Sequence, residues 1–146
     1  MRKVVVVNGP NLNLLGKREP EIYGTQSLVD LNDMVRARAA ELQVEVSLYQ
    51  SNSEGEIIDF LQKEAPGSAG VIINPGAFSH YSLAIYDCLQ ALALPVVEVH
   101  LSNIHAREKF RSKSVTARAA RGVITGLGFD GYKLALEYLA EQGGKH

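Results

Sequence analysis

A chain of 146 residues with 46% hydrophobic and 21% charged residues has the makeup of one globular domain with a sizeable core. Its net charge of −1 argues against general binding to nucleic acid or to a membrane surface. The single cysteine, Cys88, excludes an intrachain disulfide; it falls in an apolar helical pattern, reads as a small buried hydrophobe, and fits a reducing cytoplasm.

Residues 3–8 read as a strand, Val4-Val5-Val6-Val7 running into Asn8. Met1-Arg2-Lys3 before the valines resembles the start of a signal peptide, but the apolar run stops at Asn8-Gly9-Pro10, too short for a signal core or a membrane span. A loop from Gly9 to about Gln26 follows, rich in Gly, Pro and Asn. Connections in α/β units usually take about 2–6 residues, so a structureless loop of this length is expected to be a lid or binding loop. Gly16 and Gly24 would be its hinges and Arg18, Glu19, Pro20 and Tyr23 its chemistry. The plainer alternative is a surface Arg–Glu pair with a tyrosine packed on the body.

Ser27 is the expected N-cap of a first helix, with Asp30 placed as in a capping box and Leu28, Leu31, Val35, Ala39 and Leu42 at helical spacing. A second strand covers about 45–50. A second helix starts near Ser53, buries Ile57, Ile58 and Leu61, and stops before Pro66-Gly67. The third strand is 70–74, followed by a Pro75-Gly76-Ala77 loop and a helix over about 82–93. The fourth strand is 95–99, then comes a polar stretch from His100 to Arg121. A fifth strand at 123–125 leads through Gly126, Gly128 and Gly131 into a last helix ending near Ala140, and residues 143–146 should fray. Short β-branched runs alternating with helices predict an α/β fold: a flavodoxin-like, doubly wound, five-stranded parallel sheet of order 2-1-3-4-5, one domain over residues 1–146.

In such sheets the ligand crevice lies outside the carboxyl ends of the strands. Three strands here end on side chains capable of chemistry: Asn8, Asn74 and His100. Asn74 can donate and accept towards a polyhydroxylated ligand, and His80 precedes a helix N-terminus; the alternatives are an Asn that merely ends the sheet and a His that caps the helix. Glu98 is an acid within a buried strand, costly unless paired, and His100 lies on the same side of that strand. A carboxylate that holds an imidazole fixes its tautomer and raises its proton affinity, as a general acid requires.

Arg107, Lys109, Arg111, Lys113, Arg118 and Arg121 face a single acid, Glu108, in the following stretch. This is either a solvated face or an electropositive rim for a carboxylate or phosphate. With Phe110 as its only aromatic it lacks the stacking rings of a single-stranded nucleic-acid surface. His100 and His105 have no carboxylate partner at metal-site spacing, so no metal is expected. Phosphate-loop and dinucleotide fingerprints are missing after the first strand, which argues against a nucleotide cofactor. The same position lacks the acidic pair of a phosphoacceptor receiver and the hydroxyl-rich loop of a flavin carrier, the competing non-catalytic readings.

Gly9-Pro10-Asn11-Leu12, Arg18-Glu19-Pro20, Tyr23-Gly24, Asn74-Pro75-Gly76 with His80, Glu98-Val99-His100-Leu101-Ser102-Asn103, and His105-Ala106-Arg107-Glu108 with Arg111 closely resemble type II 3-dehydroquinate dehydratase. The resemblance implies dehydration of 3-dehydroquinate to 3-dehydroshikimate by anti elimination through an enolate, in the shikimate pathway or quinate breakdown. It implies neither metal, Schiff base nor other cofactor. Tyr23 is then similar to the family's general base, Arg18 to the lid arginine supporting it, and His100 to the general acid, oriented by Glu98. Asn11 resembles the asparagine that stabilises the enolate through water. Asn74, His80, Asp87, Leu101, Ser102 and Arg111 resemble the substrate-binding set, and Arg107 a further active-site cation. The resemblance also implies a homododecamer, a tetramer of trimers in which Asp87 serves a neighbouring subunit. From the residues alone, Asp87 reads as part of a solvated helix face.

Overall fold

Four consecutive valines can be buried on both sides only in a strand at the middle of a covered sheet, and that is where they lie. In the computed structural model, which describes residues 1–143 except for the side chain of Tyr23, β1 (Lys3–Asn8) sits between two other strands. Val4 to Val7 are each at most 1% exposed. At roughly 1.5–3 kcal/mol per fully buried aliphatic side chain, this run anchors β1 in the middle of the sheet. The other strands are β2 (Glu45–Gln50), β3 (Gly70–Asn74), β4 (Val96–His100) and β5 (Gly122–Thr125). All four pairings are parallel, in the order 2-1-3-4-5 that the sequence pattern predicts.

Helices cover both faces. On one side α2 (Leu28–Leu42) and α5 (Asp130–Gly143) pack Leu31, Val35, Leu136 and Leu139 against Val4, Val6 and Ile72. On the other, α3 (Glu54–Glu64) and α4 (Leu83–Leu92) pack Ile57, Leu61, Ile85 and Leu89 against Val5, Val7 and Ile73. The expected cap forms, Ser27 and Asp30 closing a reciprocal capping box; Ser53 and Ser82, near which the sequence pattern starts the next two helices, also act as caps and accept from Glu56 and Ile85 N–H groups. No helix among the described residues is long and apolar enough to cross a membrane.

Several details differ from the sequence expectation: β5 begins one residue early, at Gly122, and Ile58 is only partly buried. The 9–26 connection is not structureless: it holds a 3-10 turn at Leu12–Leu14 and one helical turn, α1 (Pro20–Tyr23), which Pro20 starts because its fixed φ and missing N–H suit a first helical position. Gly16 and Gly24 adopt φ of 87° and 84°, the left-handed conformation that glycine tolerates. β4 is displaced by one residue, so that His100 is its last member and not the first loop residue. α5 runs past Ala140 to Gly143; the end expected to fray lies, from residue 144, outside the described residues.

Cys88 lies on the buried face of α4, and that burial pushes its thiol above the ordinary range. It should therefore ignore an aromatic disulfide reagent at neutral pH until the chain is unfolded by guanidinium. Rapid labelling of the native protein would contradict this packing.

Candidate active site

β1, β3 and β4 deliver Asn8, Asn74 and His100 to one end of the sheet, with Asn8 and Asn74 directly paired across the strands. The loops leaving those strands make very close contact. Gly9 N–H donates to the Asn74 carbonyl at 2.8 Å, and a Cβ on Gly9 would stand 2.5 Å from the Pro75 oxygen. Only glycine fits there. Beside this contact, with Pro10, Asn74 and Gly76 in its lining, is a cavity of about 190 Å3.

Its wall brings together most of the residues singled out in the sequence. Asn11 and Arg18 reach it from the long first loop, and Asn74 and His80 from the loop after β3. His100, Leu101 and Ser102 enter from β4, followed by Arg107 and Arg111 from the polar stretch. Asn11 stands in the left-handed conformation at φ 70°, and its N–H donates to Asn52 Oδ1 at 2.9 Å. Asp87 is exposed on α4 and is not part of this wall. Tyr23 closes α1 in the same first loop; its side chain lies outside the described residues.

Glu98 is completely buried below His100. Its carboxylate accepts from His100 Nε2 at 2.8 Å, from Ser114 Oγ at 2.6 Å and from Thr116 Oγ1. An ionised carboxylate can only accept, so Nε2 carries the hydrogen and Nδ1 is the imidazole nitrogen left for a ligand. Those same three donors supply the compensation without which a buried charge would be expensive. His80 is oriented in the opposite sense. Its Nδ1 lies 2.7 Å from the Lys113 carbonyl, which fixes the hydrogen on Nδ1 and leaves Nε2 as an acceptor.

Asn74 is 3% exposed, and both ends of its amide are held: Oδ1 accepts from Gly76 N–H at 3.1 Å, and Nδ2 donates to the Tyr132 hydroxyl at 3.0 Å. Tyr132 donates in turn to Asn8 Oδ1. The basic stretch divides. Arg111 faces the cavity, with Nε bonded to Glu108 at 2.8 Å, whereas Lys109, Lys113, Arg118 and Arg121 are exposed, as a solvated face would be. Glu108 sits below the usual carboxylate range, held there by a hydrogen bond from backbone and then by Arg111 and Arg107. Glu19 joins the first loop to the segment after β4, 3.5 Å from Arg18 and 3.9 Å from Arg107. The Arg18–Glu19 pair of the plainer alternative is thus present, and Arg18 also lines the cavity. Among the described residues no group of three or more His, Cys, Asp or Glu side chains could hold a metal ion.

The family described as Dehydroquinase class II matches residues 2–140. The chain belongs to that family. A 3-dehydroquinate dehydratase of Halothermothrix orenii is 58% identical over 94% of this chain and 93% of the relative. One of Bacillus licheniformis is 52% identical over 99% of this chain and 100% of its own length. Among solved structures, the type II dehydroquinase from Propionibacterium acnes superimposes with a TM-score of 0.91 at 43% identity, covering 97% of each chain.

Within this class II dehydroquinase, three residues that pattern reading passed over touch the groups at the site. Ser114 and Thr116 fall within the basic, polar stretch and Tyr132 near the start of the last helix, and sequence pattern gives none of the three a role. Nothing in their spacing announces contacts to Glu98 or to Asn74, 16, 18 and 58 positions away. The only available signal was Glu98 itself, because a buried acid demands donors from elsewhere in the chain.

Proposed function

We propose that this chain dehydrates 3-dehydroquinate to 3-dehydroshikimate by anti elimination through an enolate, with Tyr23 as general base and His100 as general acid. The observation carrying this reading is the His100–Glu98 pair at the wall of a cavity shared with Arg18, Arg107 and Arg111. Membership of the dehydroquinase family and relatives named 3-dehydroquinate dehydratase support the substrate.

The Tyr23 phenolate removes the proton beside the ketone, and the electron pair passes into the enolate. As the enolate collapses, the carbon–oxygen bond to the hydroxyl breaks and protonated His100 supplies a proton from Nδ1, the nitrogen that Glu98 leaves open. Water departs and a conjugated enone remains. One proton has moved to tyrosine and one has left histidine, so solvent resets the pair. A free phenol has a pKa near 10, leaving only about 0.1% phenolate at neutral pH. A guanidinium at roughly 4 Å and an effective dielectric near 20 offers about 4 kcal/mol, equivalent to about three pKa units. Arg18 suits this task because it does not deprotonate. Asn11 stabilises the enolate through water, and Asn74, His80, Leu101, Ser102 and Arg107 hold the ring and its hydroxyls.

Asp87, exposed on α4 and away from its own cavity, is read as serving a neighbouring copy in a homododecamer, a tetramer of trimers. Sedimentation of the pure protein tests that assembly. The setting is cytoplasmic, in the shikimate pathway to aromatic amino acids or in quinate catabolism.

Incubation with 3-dehydroquinate, with and without chelator, should produce the ultraviolet absorbance of the conjugated enone equally in both. No absorbance, or a covalent imine trapped by borohydride, would end the reading. Arg111→Ala should raise KM by about ten- to a hundredfold with little change in kcat, as expected for the anchor of the substrate carboxylate. Arg18→Ala should do the reverse, lowering kcat more than it raises KM. Steady-state kinetics distinguish the two.

A further inference from the structure

Tyr132, the third residue of α5, is fully buried, yet its hydroxyl ends between Asn8 and the cavity-lining Asn74. The direction of each hydrogen bond there follows from one backbone group. Gly76 N–H requires an acceptor, so Asn74 presents Oδ1 to it. Nδ2 of the same amide must then face Tyr132 and donate to its oxygen. The single phenolic hydrogen is left for Asn8, which receives it on Oδ1. Burial pushes the Tyr132 phenol well above its ordinary pKa, the Asn74 hydrogen bond opposing, so the hydroxyl keeps its hydrogen at working pH. One Nδ2 hydrogen of Asn74 remains uncommitted in this network, on a side chain that lines the cavity.

We propose that Tyr132 is a positioning residue: with Gly76 it locks the Asn74 amide so that an N–H donor, and not a carbonyl, meets the ligand. A locked donor selects ligand oxygens that accept, such as the hydroxyl or carboxylate oxygens of a polyhydroxylated acid, and disfavours groups that can only donate. This assignment rests on the reading that 3-dehydroquinate occupies the cavity. Asn8 has the part of a terminal acceptor, which keeps the phenol from donating towards Asn74 and reversing the amide.

Tyr132→Phe retains the ring that fills the core and removes only the hydroxyl. It should raise KM for 3-dehydroquinate about tenfold and leave kcat within about twofold. In an Asn74→Ala background the same substitution should add nothing, whereas a merely structural role would impair both backgrounds alike. The Asn74 side-chain amide signals in a nitrogen–proton correlation spectrum, assigned by their loss in Asn74→Ala, should shift in Tyr132→Phe. An unchanged KM, an equal rise in the Asn74→Ala background, or an unshifted amide pair would each overturn the assignment. If the native enzyme leaves 3-dehydroquinate untouched, the proposed function fails and the amide shift still decides the positioning. Should Tyr132→Phe not fold, Asn8→Ala removes the phenol's acceptor, keeps the ring, and should give the same three results.

Discussion

His100→Ala should leave a folded protein whose kcat on 3-dehydroquinate is lower by about 10^2–10^4-fold, with KM little changed. Folding should survive because Glu98 keeps Ser114 and Thr116 as donors when the imidazole is gone. On the proposed assignment, what disappears is the proton for the departing hydroxyl. Tyr23→Phe should fall as far, for a different reason: no proton leaves carbon. The two variants separate in heavy water. His100→Ala should still exchange the acidic proton beside the ketone with solvent, since the base acts before the acid in a stepwise elimination, whereas Tyr23→Phe should exchange nothing. Exchange retained by Tyr23→Phe and lost in His100→Ala would reverse the assignments. Full activity in either variant would remove that residue from the chemistry altogether.

Glu98→Ala should be the most damaging of these substitutions for stability, by about 3 kcal/mol or more. The carboxylate is fully buried and is the common acceptor of an imidazole and two hydroxyls. Removing it leaves Thr116, which is itself 0% exposed, without that acceptor, and opens a void between β4 and the segment after Ser114. With a urea m-value of about 1–3 kcal/mol/M, the unfolding midpoint should fall by roughly 1–3 M. Turnover should fall as well, because nothing then holds His100 Nε2. Glu98→Gln offers a finer measurement. Its single oxygen can accept, but its NH2 group faces a donor, so it should lose less stability than alanine and still lose activity. An unfolding midpoint unchanged in Glu98→Ala would show that the network contributes little.

Much of the fold is legible in the sequence because burial on both faces leaves a plain mark. β1, β2 and β3 lie at 3–8, 45–50 and 70–74, as the β-branched runs and their polar ends predict. The helices start where Ser27, Ser53 and Ser82 can cap them. α1 was hidden because a single helical turn has no periodicity to detect. The gathering of Asn74, His100 and the loop residues follows from parallel strands sharing one direction, which puts all their carboxyl ends on one side. Arg107 and Arg111 were separable from the other basic residues only in three dimensions, since a charge run looks uniform in one. Asp87 is the opposite case. Its place on α4 gives an ordinary exposed acid, and only the family resemblance gives it a task.

The contact between Gly9 and Pro75 limits how this enzyme can change over evolution or in the laboratory. Where the loops after β1 and β3 cross, main chain lies against main chain with no room for a side chain at residue 9, and the neighbouring Pro10, Asn74 and Gly76 line the cavity. New ligand preferences are expected at lining positions outside that contact, such as Ser102, Ile104 and Arg107, or in the first loop, which carries Arg18. Selection for altered specificity should therefore return variants in those segments and hold residue 9 invariant.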